Sequence, residues 1–263
     1  MNIKVFEKHL KIDNNMYDTP TLDALHYYLQ HFMLTVPFEN IDVQNGVPIS
    51  VDINHLFDKV VNQNRGGFCY ELNTLFKYYL IQQGYTAESV SATIHTPDGG
   101  RSRPGSHMST LVTIDDEQYI ADVGFGDLPL KALRITTIEN TEPVIDISGQ
   151  FRAILMEKNN VHLQKLIDDQ WQTLYEAELV PRSIDEFEDN IDYNQSNPES
   201  IFVQRLLVTQ PQSFGRATMS FNHLTLTKQG HKERHNVTSN NYRQLLNDYF
   251  DLDVTIKKLE SDL

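Results

Sequence analysis

Apolar positions recur at helical spacing through the first third of the chain. Leu22, Leu25, Leu29, Phe32 and Met33 fall on one face of a helix that Thr19 is expected to cap, with Pro20 as its first residue and Val36-Pro37 as its end. A second helix is expected from Asp52, turning Ile53, Leu56, Phe57, Val60 and Val61 inward. A third runs from about Cys69, with Leu72, Leu75, Phe76, Tyr79 and Leu80 inward, to Gly84 at its C-terminal cap. From Tyr85 the period falls to two. Val90, Ala92 and Ile94 alternate in one segment, and Met108 to Ile114 is joined to Gln118 to Val123 by the turn Asp115-Asp116-Glu117. Phe151 to Glu157 and Val161 to Ile167 form another expected hairpin around Lys158-Asn159-Asn160, and further short segments point to a barrel or a sandwich. Ser183 to Ser200, acidic and polar, is expected to be a linker or interdomain loop. Short strands including Leu224-Thr225-Leu226 follow, then an amphipathic helix burying Tyr242, Leu245, Leu246, Tyr249 and Phe250.

Composition narrows the chemistry. With 263 residues, 40% of them apolar, the chain can bury a large core without staples. Its single cysteine forms no internal disulfide and suits a reducing compartment, which also removes the Cys-rich zinc sites. Met1 to Leu10 mixes charge with apolar residues, unlike a signal peptide, and no run approaches the ~20 apolar residues of a membrane span, so the expected location is cytoplasmic. A formal charge of −14 opposes binding to nucleic-acid or anionic-membrane phosphates.

Arg65-Gly66-Gly67-Phe68-Cys69-Tyr70-Glu71-Leu72-Asn73 places the lone thiol where two glycines give way to a helix. A lone cysteine in an apolar helix is ordinarily core filling. The unpaired amides and dipole of a helix N-terminus, however, favour an anion, and glycines permit a tight turn and close backbone approach. A cysteine nucleophile needs a base, and the base needs an orienting acceptor. His107 opens a strand directly after the loop from Asp98 to Ser106. If the Asp115 to Glu117 turn makes a hairpin, residues summing to roughly 230 face one another, which brings Asp122 opposite the start of that strand. Two further motifs carry less. His231-Lys232-Glu233-Arg234-His235 has the spacing of a helical metal site, but it lacks a third ligand and the motif position for Glu233, so no metal is expected. Gly124-Phe125-Gly126 is no dinucleotide fingerprint, because Pro129 stands where the third glycine belongs.

Four stretches in order, Val36-Pro37-Phe38-Glu39-Asn40 with Asp42, Arg65 to Asn73, His107-Met108, and Asp122-Val123-Gly124-Phe125-Gly126, make the chain resemble the arylamine N-acetyltransferases. Weaker similarity from Asn194 to Phe202 extends the match. The resemblance implies an α+β fold: a helical bundle over 1–84, a β-barrel over 85–190 and an α/β lid over 191–263, with a cysteine triad related to those of papain-like proteases and transglutaminases. It implies that Cys69 accepts acetyl from acetyl-CoA, that His107 is the base oriented by Asp122, and that an arylamine or hydrazine then attacks the thioester in a ping-pong sequence. Phe38, Phe125 and Phe202 would line the acceptor pocket, Gly124 and Gly126 would lie by the coenzyme, and Glu39 with Arg65 would brace the cysteine loop. The residues holding the coenzyme phosphates are unassigned, with Arg101 and Arg103 nearest in sequence to the triad. The alternatives are a thiol hydrolase, a transglutaminase-like enzyme, or an amide synthase that carries a larger acyl chain.

Overall fold

The computed structural model describes residues 1–13, 15–96 and 98–260. Helix α1 (Ile3–His9), which has too few turns to show a period in the sequence, buries Phe6. In α2 (Leu22–Thr35) the cap is Thr21 rather than Thr19: its hydroxyl accepts from the Ala24 amide, within reach only from that position, and Pro20 stays outside the helix. The two-residue strand β1 (Phe38–Glu39) and α3 (Ile41–Asn45) follow. Asp52 caps α4 (Ile53–Phe57), which passes into a π-helical turn over Asp58–Asn62 before α5 (Cys69–Gln82). Ten of the fourteen residues of α5 are buried, which makes it the central helix. Gly84, at φ +89, ends it in a conformation that glycine adopts without strain.

The barrel strands are β2 (Thr86–Ile94), β3 (His107–Ile114), β4 (Glu117–Ile120), β5 (Leu133–Thr136), β6 (Val144–Asp146), β7 (Gly149–Leu155), β8 (Asn160–Ile167) and β9 (Gln170–Arg182). Seven of them close in the order β5-β4-β3-β2-β9-β8-β7 through a parallel pairing of β7 with β5, while β6 hangs on β7. The turn between β3 and β4 holds Asp115 and Asp116 at φ +48 and +65, which matches the twist of a two-residue hairpin. It fixes the register Leu111↔Ile120, close to the expected sum. β4 ends at Ile120, so Asp122 lies just beyond the strand instead of within it.

The segment from Ser183 to Ser200 is not a linker. It forms a 3-10 turn (Ile184–Phe187) and α6 (Glu188–Ser196), in which Phe187, Ile191 and Asn194 are buried at helical spacing while the acidic residues face outward. The sequence impression of a loop came from that outer face. After α7 (Ile201–Gln204) come β10 (Val208–Gln212), β11 (Gly215–Met219), β12 (His223–Lys228), β13 (His231–Asn236), α8 (Tyr242–Phe250) and α9 (Lys257–Glu260). The second sheet runs β1-β10-β11-β12-β13, with Phe38 opposite Thr209, so the first third of the chain is not purely helical but lends a strand to the lid sheet. One continuous core joins the helical stretch to the barrel, and a second lies among Leu206, Val208, Leu224, Leu246, Phe250 and Ile41. His231 and His235 sit on strand β13 rather than a helix, which separates their α-carbons by about 13 Å at the rise of a strand.

Candidate active site

The cysteine loop is shaped by bare α-carbons. A Cβ on Gly66 would stand 1.9 Å from the Pro37 carbonyl oxygen, and one on Gly67 would meet the Glu71 carboxylate at 2.7 Å. That carboxylate accepts the Phe68 amide at 3.1 Å and caps α5 immediately before Cys69. The thiol is buried. Gly124 packs on the same turn, where a Cβ would lie 2.7 Å from the Cys69 α-carbon. Behind the loop, Arg65 bonds Glu39 at 2.7 Å and Asp42 at 2.8 Å.

The hairpin brings the other two candidates together. His107 Nε2 donates to Asp122 Oδ2 at 2.6 Å, with both side chains almost fully buried. The ring also interacts with Cys69, which helps raise its pKa, and since Nε2 is engaged by Asp122, Nδ1 is the nitrogen left for the thiol. Asp122 is fully satisfied. Its Oδ1 accepts from Asn73 Nδ2 at 2.9 Å and from the Gly124 amide at 2.8 Å, and its Oδ2 accepts from the Tyr175 hydroxyl at 2.9 Å. Burial alone would depress the His107 pKa, but the Asp122 charge, its hydrogen bond and the contact with Cys69 outweigh this and push it up to about 10. Burial likewise opposes ionisation of Asp122, and the His107 charge with the bonds from His107, Asn73 and Gly124 holds it below the usual carboxylate range. The arrangement favours an imidazolium held against a carboxylate beside a thiol.

A stability consequence follows by linkage. His107 binds its proton more tightly folded than unfolded, so its contribution is fully present below about pH 6.5 and is lost as pH rises through about 10. Calorimetry across this window is expected to show the melting-temperature advantage of wild type over His107→Gln shrinking as pH rises. A constant difference would contradict the coupling.

The aromatic candidates divide. The Phe125 ring packs 5.5 Å from His107 and 5.3 Å from Tyr175. Phe38 and Phe202 meet at 6.1 Å, and Phe202 also meets Phe68 at 5.6 Å, on the lid side of the cysteine loop. Gly126, at φ +94, lies against Phe38 and Thr209. From Phe125 and Gly126 a cleft of about 920 Å³ opens between barrel and lid, lined on its basic side by Lys165, Arg216, Lys232 and Arg234. Lys165 and Arg216 bracket Asp127, at 2.8 and 3.4 Å, and Arg216 also donates to the Gly126 carbonyl. Lys232 and Arg234 form no ion pair among the described residues. Arg101 and Arg103 do not line this cleft: Arg101 is held by Glu176 at 2.8 Å and Arg103 lies over the Tyr193 ring.

Three site residues escaped sequence reasoning. Asn73 stands one helical turn after Cys69, a signal available in the sequence; its Oδ1 accepts the Val123 amide at 3.1 Å and its Nδ2 donates to Met108 as well as Asp122. Tyr175, in β9, and Arg216, in β11, carry no local signal because barrel closure and lid docking bring them in.

With this geometry established, comparison with known proteins decides the family. A family model described as N-acetyltransferase matches residues 21–259. The chain belongs to the arylamine N-acetyltransferase family. It is 33% identical to the arylamine N-acetyltransferase / N-hydroxyarylamine O-acetyltransferase of Salmonella typhimurium over 81% of this chain and 75% of that protein. Its structure is similar to that of the Salmonella typhimurium arylamine N-acetyltransferase, with a TM-score of 0.88, 28% identity and coverage of 96% and 92% of the two chains. A Mycobacterium marinum arylamine N-acetyltransferase in complex with CoA gives a TM-score of 0.88 at 25% identity, covering 99% of this chain and 97% of that one. The chain is thus an acetyl-CoA-dependent acyltransferase by family, with a closed barrel between helices and lid.

Proposed function

We propose that Cys69 carries the acetyl group between acetyl-CoA and an arylamine nitrogen, with His107 as the base and Asp122 as its orienting partner. The carrying observation is the continuous chain from the buried thiol at the head of α5, through His107, to an Asp122 whose other lone pairs are all occupied. The sulfur attacks the acetyl carbonyl, the bond to the CoA sulfur breaks, and CoA leaves with the proton delivered by His107. The amine then attacks the acetyl-enzyme and gives its proton to His107 as the Cys69 sulfur departs. The coenzyme thioester would approach beside Gly124, which packs on the Cys69 turn, and Gly126, which lines the cleft, and Phe38, Phe125 and Phe202 would form apolar walls suited to an aromatic amine or a hydrazine. The cleft fits the rest of the coenzyme, and Lys232 and Arg234 are the cations available for its phosphates. Removing one charge-assisted bond should weaken binding, so Arg234→Gln is expected to raise the acetyl-CoA KM about tenfold with little change in kcat. An unchanged KM would move the phosphates elsewhere.

The alternatives of hydrolase, transglutaminase-like enzyme and amide synthase are not favoured by these relatives. We assign the segments 1–84, 85–190 and 191–263 to nucleophile, base and lid respectively, the last three residues lying outside those described. The proposed location is the cytoplasm, supported by the lone thiol; no described helix is long and apolar enough to cross a membrane. The net charge of −14 supports small-molecule rather than nucleic-acid partners. Intact-mass spectrometry after mixing with acetyl-CoA alone tests the relay. It should show a single added acetyl group, absent in Cys69→Ala and discharged by an aminobenzoate or a hydrazine, and steady-state kinetics should be ping-pong. Amine acetylation without an acetyl-enzyme, with sequential kinetics, would overturn the covalent route.

A further inference from the structure

Behind the cysteine loop lies a buried cation that the acyl-transfer chemistry does not use directly. The π-helical turn Asp58–Asn62 directs Lys59 inward, where its side chain is 4% exposed. Such turns are uncommon and cluster at functional sites. Lys59 Nζ lies 2.6 Å from Asp42 Oδ2 and 2.7 Å from Glu71 Oε1. Glu71 faces two ways: Oε1 takes the Lys59 ammonium, and Oε2 accepts the Phe68 amide, the capping bond at the head of α5. This carboxylate therefore stands two residues from Cys69 at the N-terminus that presents the thiol.

Charge decides how the cluster works. Glu39, Asp42 and Glu71 are its acids, and Lys59 and Arg65 its bases. Arg65 is committed to Glu39 and Asp42, which leaves Lys59 as the only cation bonded to Glu71 among the described residues. Burial pushes the Glu71 carboxyl up, and the Lys59 charge is the main effect that opposes this. Without Lys59, the cluster would lose the positive charge that holds Glu71 at the end of the helix where the thiol must become anionic. On the opposite side the thiol lies beside His107, which is backed by Asp122 and Tyr175, while the Tyr70 hydroxyl, bonded to Gly105 and Asn194, and Arg103 act on this region only electrostatically.

We propose that Lys59 is a positioning residue of the acyl-transfer site: by neutralising Glu71 and holding it as the cap of α5, it keeps the helix N-terminus beneath Cys69 ordered and electropositive. This rests on Cys69 as acyl carrier and adds a residue that touches neither substrate nor thiol. The test measures acylation by acetyl-CoA in single turnovers across pH for wild type, Lys59→Met, Glu71→Gln and the double variant, with each rate normalised to the fraction of thiol that acetylates by intact mass. Lys59→Met is expected to move the rising limb of the profile about one unit to higher pH. Its rate near neutrality should then fall about tenfold. Glu71→Gln, which keeps an acceptor for the Phe68 amide, should move the limb the other way, and the double variant should return towards wild type. A purely structural salt bridge would lower stability in the single variants and leave their profiles superimposed on wild type, which would overturn the proposal. If Lys59→Met does not fold, the comparison of Glu71→Gln with wild type decides alone, and an unshifted profile again overturns it. Failure of wild type to label at Cys69 would show instead that the acyl-carrier assignment is wrong, and this inference would fall with it.

Discussion

Asp122→Asn is expected to lower the acetylation rate of Cys69 by about 10⁴-fold while the protein stays folded. Asparagine keeps an oxygen for the bonds from Asn73 and the Gly124 amide, so the loop after β4 retains those supports. The change falls on the other side, where Oδ2 now accepts from both His107 Nε2 and the Tyr175 hydroxyl. An amide nitrogen there donates instead of accepting, which forces the proton of His107 onto Nδ1, the nitrogen that takes the proton from the thiol in the proposed relay. The carboxylate charge that holds the imidazole protonated is lost in the same step. Single-turnover acylation followed by intact mass, alongside a thermal melt, checks both parts. Near-normal acylation in a folded Asp122→Asn protein would remove Asp122 from the triad.

Gly66→Ala should destabilise the protein by about 3 kcal/mol or more, a drop in melting temperature of roughly 6–12 °C for a chain of this size. The added Cβ would have to occupy space 1.9 Å from the Pro37 carbonyl oxygen, which is backbone and cannot rotate away. Neighbouring backbone is pinned as well: the Glu39 amide donates to the Gly67 carbonyl at 2.8 Å, and Phe38 bridges Gly67. Relief of the clash must therefore displace the turn that delivers Cys69, and acylation should fall with stability. Gly46→Asn is the control, since Gly46 has open space around its α-carbon, and asparagine tolerates its positive φ. Scanning calorimetry distinguishes the two. A Gly66→Ala melt within a degree or so of wild type would show that the loop accommodates the methyl group.

The sequence was most informative where chemistry depends on local order. Cys69 at a helix start, the glycines before it, the hairpin that pairs His107 with Asp122 and the cap at Asp52 all arise from contacts within a few residues or across one tight turn, and these leave periodicity, turn residues and register to read. Short or polar elements were not legible. β1 has two residues and acquires its place in a sheet from β10, some 170 residues later, and α6 presents its acidic face to solvent so that its buried Ile191 and Asn194, with Phe187 just before it, were hidden in a polar composition. The same limit applies to Lys59, whose inward direction depends on a π-helical turn that residue types do not signal.

The sequence by itself singled out Cys69, His107 and Asp122 as the proposed nucleophile, base and orienting carboxylate, because a reactive thiol requires a particular local backbone and a hairpin sets its own register. Tertiary structure alone decided what satisfies and surrounds them: Tyr175 from β9 on Asp122, Arg216 from β11 on the Gly126 carbonyl, and a basic cleft between barrel and lid. The physical reason is burial. An ionised side chain removed from water needs partners for every lone pair and proton, and only closure of the barrel and docking of the lid bring such partners from distant positions in the chain.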